Sequence, residues 1–380
     1  RSWFTTPRRR MLQWTASIAV LALALVGAIV ATGYQSQRVQ LDDGAVWVTN
    51  SDKQAVGRAN TRVHELNTVL TTDSAAMDLL QNGSNVFIVN DAKRALDVVD
   101  QATGTVSQSV PLPAGVSTAA LAGDNLVLHA PVSGDVWIVP VAGITHFDAK
   151  SQQANFSIGA DSVIAVNQLG RFVGVSAKTG IVTTVDTRQA AAPQLVTASA
   201  KLTAGALEIT LVGERWAILD RTTSTLVTAG RVIDLGGKLG DLTQAKLQVP
   251  SASGRGGAAV VLMAHAGGLS QINLDGGEVS SLSSSVRGRP AAPYLLGDCT
   301  YAAWSGGSVW SQCGSTKENV QTAPSMVGSA VLTFREASQV IALNDGSTGA
   351  AWSVQSGVRL INNWDALLAQ QAAQRKVIQT

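Results

Sequence analysis

Apolar residues follow two different rhythms along this chain. Residues 14–33 (WTASIAVLALALVGAIVATG) form one run of twenty residues without a charge, which as a helix rising about 1.5 Å per residue spans a hydrocarbon layer of roughly 30 Å. From about Leu41 onward the apolar runs are short and bounded by Gly, Asn, Asp, Ser and Thr, the punctuation of β-structure. The pattern predicts strands at 45–49 (AVWVT), 85–89 (NVFIV), 125–129 (NLVLH), 135–139 (DVWIV) and 162–166 (SVIAV). Further strands are predicted at 215–219 (RWAIL), 258–263 (AAVVLM), 329–334 (SAVLTF) and 339–343 (QVIAL). From Asn363 the pattern becomes Ala/Gln-rich, so 363–380 reads as a short helix or linker with no evident partner for Leu367, Leu368 and Val377.

A turn of the form Asp/Ser-x-x-Thr-Gly recurs after apolar strands, at Asp100 to Gly104, Ser176 to Gly180 and Asp345 to Gly349. The leading side chain accepts backbone N–H groups two or three residues on, and the glycine takes the left-handed conformation that returns the chain. Degenerate turns fall between these, near Lys53, Val141-Ala142-Gly143, Thr222-Thr223-Ser224, Asp275-Gly276-Gly277 and Gly314. A period of about 40 residues is that of a propeller blade, a sheet that buries its faces by stacking against neighbours around an axis. The fold class is therefore all-β, a β-propeller over 41–362 preceded by one transmembrane helix. The first hairpin lacks strands of its own upstream, and if it completes the last blade the ring has about seven blades, with six or eight also compatible. A pair of β-sandwiches spaces its strands similarly but does not repeat one turn motif at this period.

Charge then sets the topology. The chain has 28 basic and 26 acidic residues, of which Arg1, Arg8, Arg9 and Arg10 precede the apolar run and only Arg38 follows closely. The positive-inside bias places 1–13 in the cytoplasm as a basic tail, 14–33 across the bilayer and the rest outside. A cleaved secretory signal with Ala28-Ile29-Val30-Ala31 near its end, or a twin-arginine signal at Arg9-Arg10, are the competing readings. Beyond the tail the charge is near balance, which provides no basic field for nucleic acid. Arg1 is not an initiator residue, and the chain reads as part of a longer one.

The turns resemble those of quinoprotein-like propellers, whose repeat is roughly Ala-x-Asp-x-x-Thr-Gly-x-x-x-Trp; Ala342 to Trp352 comes nearest, with Asp345 and Trp352 each one position out. A second resemblance covers nearly the whole chain. It rests on the basic start and single apolar helix, DGAVWVTNSDKQAVGRANTRVHELN (43–67), NGSNVFIVND (82–91), GDCTYAAW with a later Cys (297–313), and INNWDALLA (361–369). This is similar to the N-terminal region of large actinobacterial envelope proteins that continue into tandem immunoglobulin-like or fibronectin type III domains. The resemblance implies surface exposure and further domains beyond 380, and it carries no catalytic residues.

Chemistry is sparse. Cys299 and Cys313, the only cysteines, flank two apparent strands around Ser305-Gly306-Gly307 and can pair across one hairpin; in an oxidising exterior that loop closure stabilises by roughly 3 kcal/mol. His64, His129, His146 and His265 stand on separate elements, and Thr68 occupies the position four after His64 where a zinc-protease helix needs a second His. Gly254-Arg255-Gly256-Gly257 and Gly267-Gly268 precede no helical pattern and read as loops rather than phosphate cradles. Asp42-Asp43, Asp97 and Asp100 read as turn caps, without the ligand spacing of a calcium loop. No catalytic, cofactor-binding or metal residue is assigned. Trp304 and Trp310 have two readings: blade-to-blade packing, or an exposed recognition patch beside the cysteine pair.

These observations lead to the expectation of a non-enzymatic, single-pass, extracellular scaffold or interaction module of the cell envelope, without a cofactor. Its partners would be the bilayer through 14–33 and an envelope protein or polysaccharide. The rivals are a ligand-sensing domain and a propeller enzyme, a quinone-dependent dehydrogenase or glycan hydrolase.

Overall fold

The computed structural model describes residues 45–378 except Ser84, 190–192, 199–200 and Ser285. The expected transmembrane helix 14–33 and its flanking Arg8, Arg9 and Arg10 lie outside the described residues. Among the described residues no helix is long and apolar enough to cross a membrane.

The chain is an all-β propeller of eight blades, 45–71, 77–111, 118–157, 162–197, 207–234, 246–284, 294–322 and 332–361, numbered 1 to 8 here. Within each blade successive strands pair antiparallel, and in blades 2 to 8 the first lies innermost in the ring. Apolar clusters fill the interfaces between consecutive blades. Trp47, Val56, Leu79 and Ile88 join blades 1 and 2, and Tyr301, Phe334, Leu343 and Trp352 join blades 7 and 8. Because a blade is covered on both faces, its middle strands are near-continuous apolar runs, as in Asn85–Asn90 (NVFIVN). Outer strands such as Thr105–Pro111 and Gln194–Thr197 are exposed and polar enough to carry no strand signal.

The count is eight, the upper of the six to eight expected around seven, because the first hairpin does not complete the last blade. It forms its own sheet, Ala45–Asn50, Ala55–Asn60 and Glu65–Thr71, while blade 8 holds four strands from its own segment. Ala45–Asn50 occupies the second-strand position, so blade 1 has no innermost strand among the described residues. Side-chain amides complete its inner edge. Gln81 accepts the Trp47 N–H at 3.0 Å and donates to the Trp47 carbonyl at 3.1 Å. Asn344 does the same for Thr49, at 2.9 and 3.1 Å. Arg335 of blade 8 reaches across to blade 2, donating to the Leu79 carbonyl and the Asp78 carboxylate.

The repeated turns also fall out of phase with one another. Those opening at Ser176 and Asp345 join second to third strands, whereas that at Asp100 joins a third strand to an outer one. The position that recurs structurally is the last residue of the second strand, which is polar and buried in six of the eight blades (Asn50, Asn90, Ser176, Asp220, His265 and Asp345) and is alanine in the other two (Ala130 and Ala303). Two strands are displaced from their expected bounds, to Val260–His265 and Leu332–Ala337. The helix Trp364–Ile378 packs on blade 1, with Trp364, Leu367 and Leu368 against Leu66 and Val69, so these leucines do have a partner.

Candidate functional site: the central channel

The innermost strands of blades 2 to 8 surround a central channel along which two cavities lie. One, of about 370 Å³, is walled by Leu79, Leu121, Ile164, Ile209 and Phe334, with Gln81, Asn167, Tyr294, Arg335 and Glu336 among its polar groups. The Tyr294 hydroxyl points to Glu336 at 3.5 Å, and burial, reinforced by that carboxylate, pushes the phenol well above its ordinary range. The other cavity, of about 340 Å³, shares Val249 and Phe334 with the first and carries Glu208, Lys246 and Arg289. Glu208 accepts the Leu247 N–H at 2.9 Å and pairs with Arg221. Burial raises its carboxyl pKa although Lys246 and Arg221 pull the other way.

None of these channel residues was singled out from sequence. They stand on or beside the innermost strands of different blades, and only the packing of those blades around the axis gathers them.

The residues that sequence did single out lie in the walls. Trp304 and Trp310 are fully buried, Trp304 donating to the His265 carbonyl at 3.0 Å and Trp310 to Glu318 at 2.7 Å. The exposed recognition patch is thus corrected: both rings pack between blades 6 and 7 and offer no surface to a partner. Cys299 and Cys313 form a disulfide between directly opposed residues of one hairpin. Replacing both by Ser is expected to lower the urea midpoint by the equivalent of roughly 3 kcal/mol, and a midpoint unchanged from the oxidised protein would exclude a stabilising bridge.

Buried polar groups fasten the blades. The Asp345 carboxylate accepts the Val331 N–H at 2.9 Å and the Ser347 and Thr348 hydroxyls at 2.6 and 2.7 Å. Burial raises its pKa, but these bonds outweigh burial and leave it below the usual range. Asp220 likewise holds Thr222 in its turn and Thr203 in the preceding loop. His129, 1% exposed, meets the Ser162 hydroxyl at 2.8 Å. That His–Ser contact is sealed from solvent, unlike a nucleophilic pair that must meet substrate. Among the described residues no group of three or more His, Cys, Asp or Glu could hold a metal ion.

Burial lowers the His129 pKa to about 4, against a weaker opposing pull from Asp135. The unfolded chain binds that proton near pH 6.5, so between these values the unfolded state holds more protons and stability falls as pH drops. Unfolding free energy should decrease by at most roughly 3 kcal/mol from this group between pH 7 and 4. Urea titrations of the parent and His129→Gln at several pH values check this. The free-energy gap between the two should narrow on acidification, and a constant gap would refute the assignment.

No protein-family model matches the chain, and no curated protein matches it. Solved structures do. Dihydro-heme d1 dehydrogenase NirN in complex with DHE aligns over 84% of this chain and 74% of its own, at 12% identity and a TM-score of 0.57. A catalytically inactive virginiamycin B lyase from Staphylococcus aureus with quinupristin aligns over 77% and 94%, at 10% identity and a TM-score of 0.50. BamB from Moraxella catarrhalis aligns over 83% and 93%, at 15% identity and a TM-score of 0.47. What the first two share with this chain is the propeller fold. At such identities the likeness carries no residue roles.

Proposed function

We propose that the chain is a membrane-anchored, extracellular interaction and scaffold module of the cell envelope, acting by rigid display and not by catalysis. The observation that carries this reading is the use made of its buried polar groups. Asp220, Asp345, His129 and His265 are spent on fastening turns and neighbouring strands, as a stiff platform requires. The disulfide agrees with an oxidising exterior, the apolar run at 14–33 with an anchor, and the sequence resemblance with tandem immunoglobulin-like or fibronectin type III domains beyond 380. Loops on the ring's faces would present side chains to an envelope protein or polysaccharide.

The full chain, reconstituted in lipid nanodiscs and exposed to envelope extract, is expected to retain a protein or polysaccharide. The double variant Gln81→Ala/Asn344→Ala, with its ring loosened, is expected to retain less. Retention of nothing, or equal retention by both, counts against the reading. A reporter inserted after residue 40 should be active only outside the cell, and cytosolic activity would overturn the topology.

The channel cavities favour a second reading, a ligand-sensing propeller. The enzyme reading, a quinone-dependent dehydrogenase or glycan hydrolase, would be supported by turnover of such substrates.

A further inference from the structure

We propose that the channel cavity bounded by Glu208, Lys246 and Arg289 is a binding site for a small ligand with one anionic headgroup, carboxylate or phosphate, on an apolar body. The proposal goes beyond rigid display and does not depend on it.

The argument starts from charge. Lys246 and Arg289 are exposed at this rim, and among the described residues neither forms a salt bridge. Arg289 gives one guanidinium N–H to the Ser329 carbonyl at 2.7 Å, which fixes the group while leaving its other donors unused. The Glu208 carboxylate cannot neutralise all the cations around it: Arg221 pairs with it and Lys246 also pulls on it, so with Arg289 one negative charge faces three positive ones. Both oxygens of Glu208 are engaged, one by the Leu247 N–H and one by Arg221. The rim therefore holds two cations in excess, above a cleft with low-dielectric walls that concentrates their field. A guanidinium held by one bond and an ammonium free to swing suit a planar carboxylate or a phosphate alike.

Below the rim the walls turn apolar, formed by Val249, Pro290, Leu332 and Phe334. The cavity holds about 340 Å³, and at about 30 Å³ for each atom the size of a water molecule this admits roughly a dozen non-hydrogen atoms. The ligand is thus short: an anion with an eight-carbon tail fills the space. A bare anion would leave the apolar wall wet, and a neutral alcohol would leave the cations without a counter-charge.

Titration calorimetry on the full chain in lipid nanodiscs, blanked with empty nanodiscs, tests this with octanoate, octyl phosphate, octanol and inorganic phosphate. Saturable binding of octanoate or octyl phosphate is expected with a dissociation constant near or below about 1 mM, and the tighter of the two identifies the headgroup. Octanol and inorganic phosphate should each bind at least about tenfold more weakly, and the Lys246→Gln/Arg289→Gln variant should lose at least about tenfold. Lys238→Gln, a cation that does not line the cavity, is the control and should bind as the parent does. Because both altered residues are exposed, circular dichroism is expected to show an unchanged ring. The proposal is overturned if octanol matches octanoate, if inorganic phosphate matches both anions, if the double variant binds like the parent, or if a folded chain binds none of the four. Failure of the envelope pull-down would leave these outcomes unaffected.

Discussion

Asn344→Ala is expected to destabilise the ring by roughly 3 kcal/mol, more than a single buried amide would ordinarily cost. Its side chain is fully buried and supplies both halves of a strand-like pairing to Thr49, besides accepting the Thr49 hydroxyl at 3.1 Å. Truncation strands a buried N–H and a buried C=O together, each costing about 1–3 kcal/mol when no replacement is at hand. Gln81→Ala, the same change at Trp47, should cost less because Gln81 lines the channel, where water can substitute. Urea denaturation measures both, and hydrogen exchange at the Thr49 amide localises the effect. If Asn344→Ala left the midpoint and the Thr49 protection of the parent intact, the amides would not be what closes the ring.

Trp364→Ala is expected to cost about 4 kcal/mol, within the range for removing a large buried aromatic. The ring is 1% exposed and its Nε1 donates to the Gly349 carbonyl at 2.8 Å. It lies against Gly57, where a Cβ would meet the ring at 2.7 Å. Gly57 has ordinary backbone angles, so its constraint is space alone, and Gly57→Ala should produce a smaller loss of the same kind. The helix that begins with this tryptophan covers the outer edge of blade 1, and its neighbour Asn363 pairs with the Leu66 N–H and carbonyl at 2.7 and 3.0 Å. Losing the anchor should therefore raise hydrogen exchange both in the helix and at Leu66. Exchange rates unchanged at both places would show that the helix is held by something other than Trp364.

The two predictions act at opposite edges of the same short blade, and neither edge was legible in the sequence. Trp47 and Gln81 are 34 positions apart, Thr49 and Asn344 295, and Leu66 and Asn363 297. An amide that mimics a peptide group has no local signature when its partner is so distant. The choice among six, seven and eight blades stayed open for a related reason: a hairpin without an upstream strand looks like the closing piece of another blade until side chains are seen completing its edge. The strands that were legible are mostly the middle ones, because burial on both faces makes them apolar throughout. Exposed outer strands such as Gln194–Thr197 were missed because nothing covers their outer face.

By itself the sequence determined the all-β class, the repeat near 40 residues and the pairing of Cys299 with Cys313, since local turn chemistry and short-range hairpins depend on residues close in the chain. Tertiary structure alone decided that there are eight blades, that Trp304 and Trp310 pack inside the wall, and that Glu208, Lys246 and Arg289 share one cavity. These facts depend on which blades become neighbours. Ring closure joins positions hundreds of residues apart, a relation on which no local window of hydrophobic and polar residues bears.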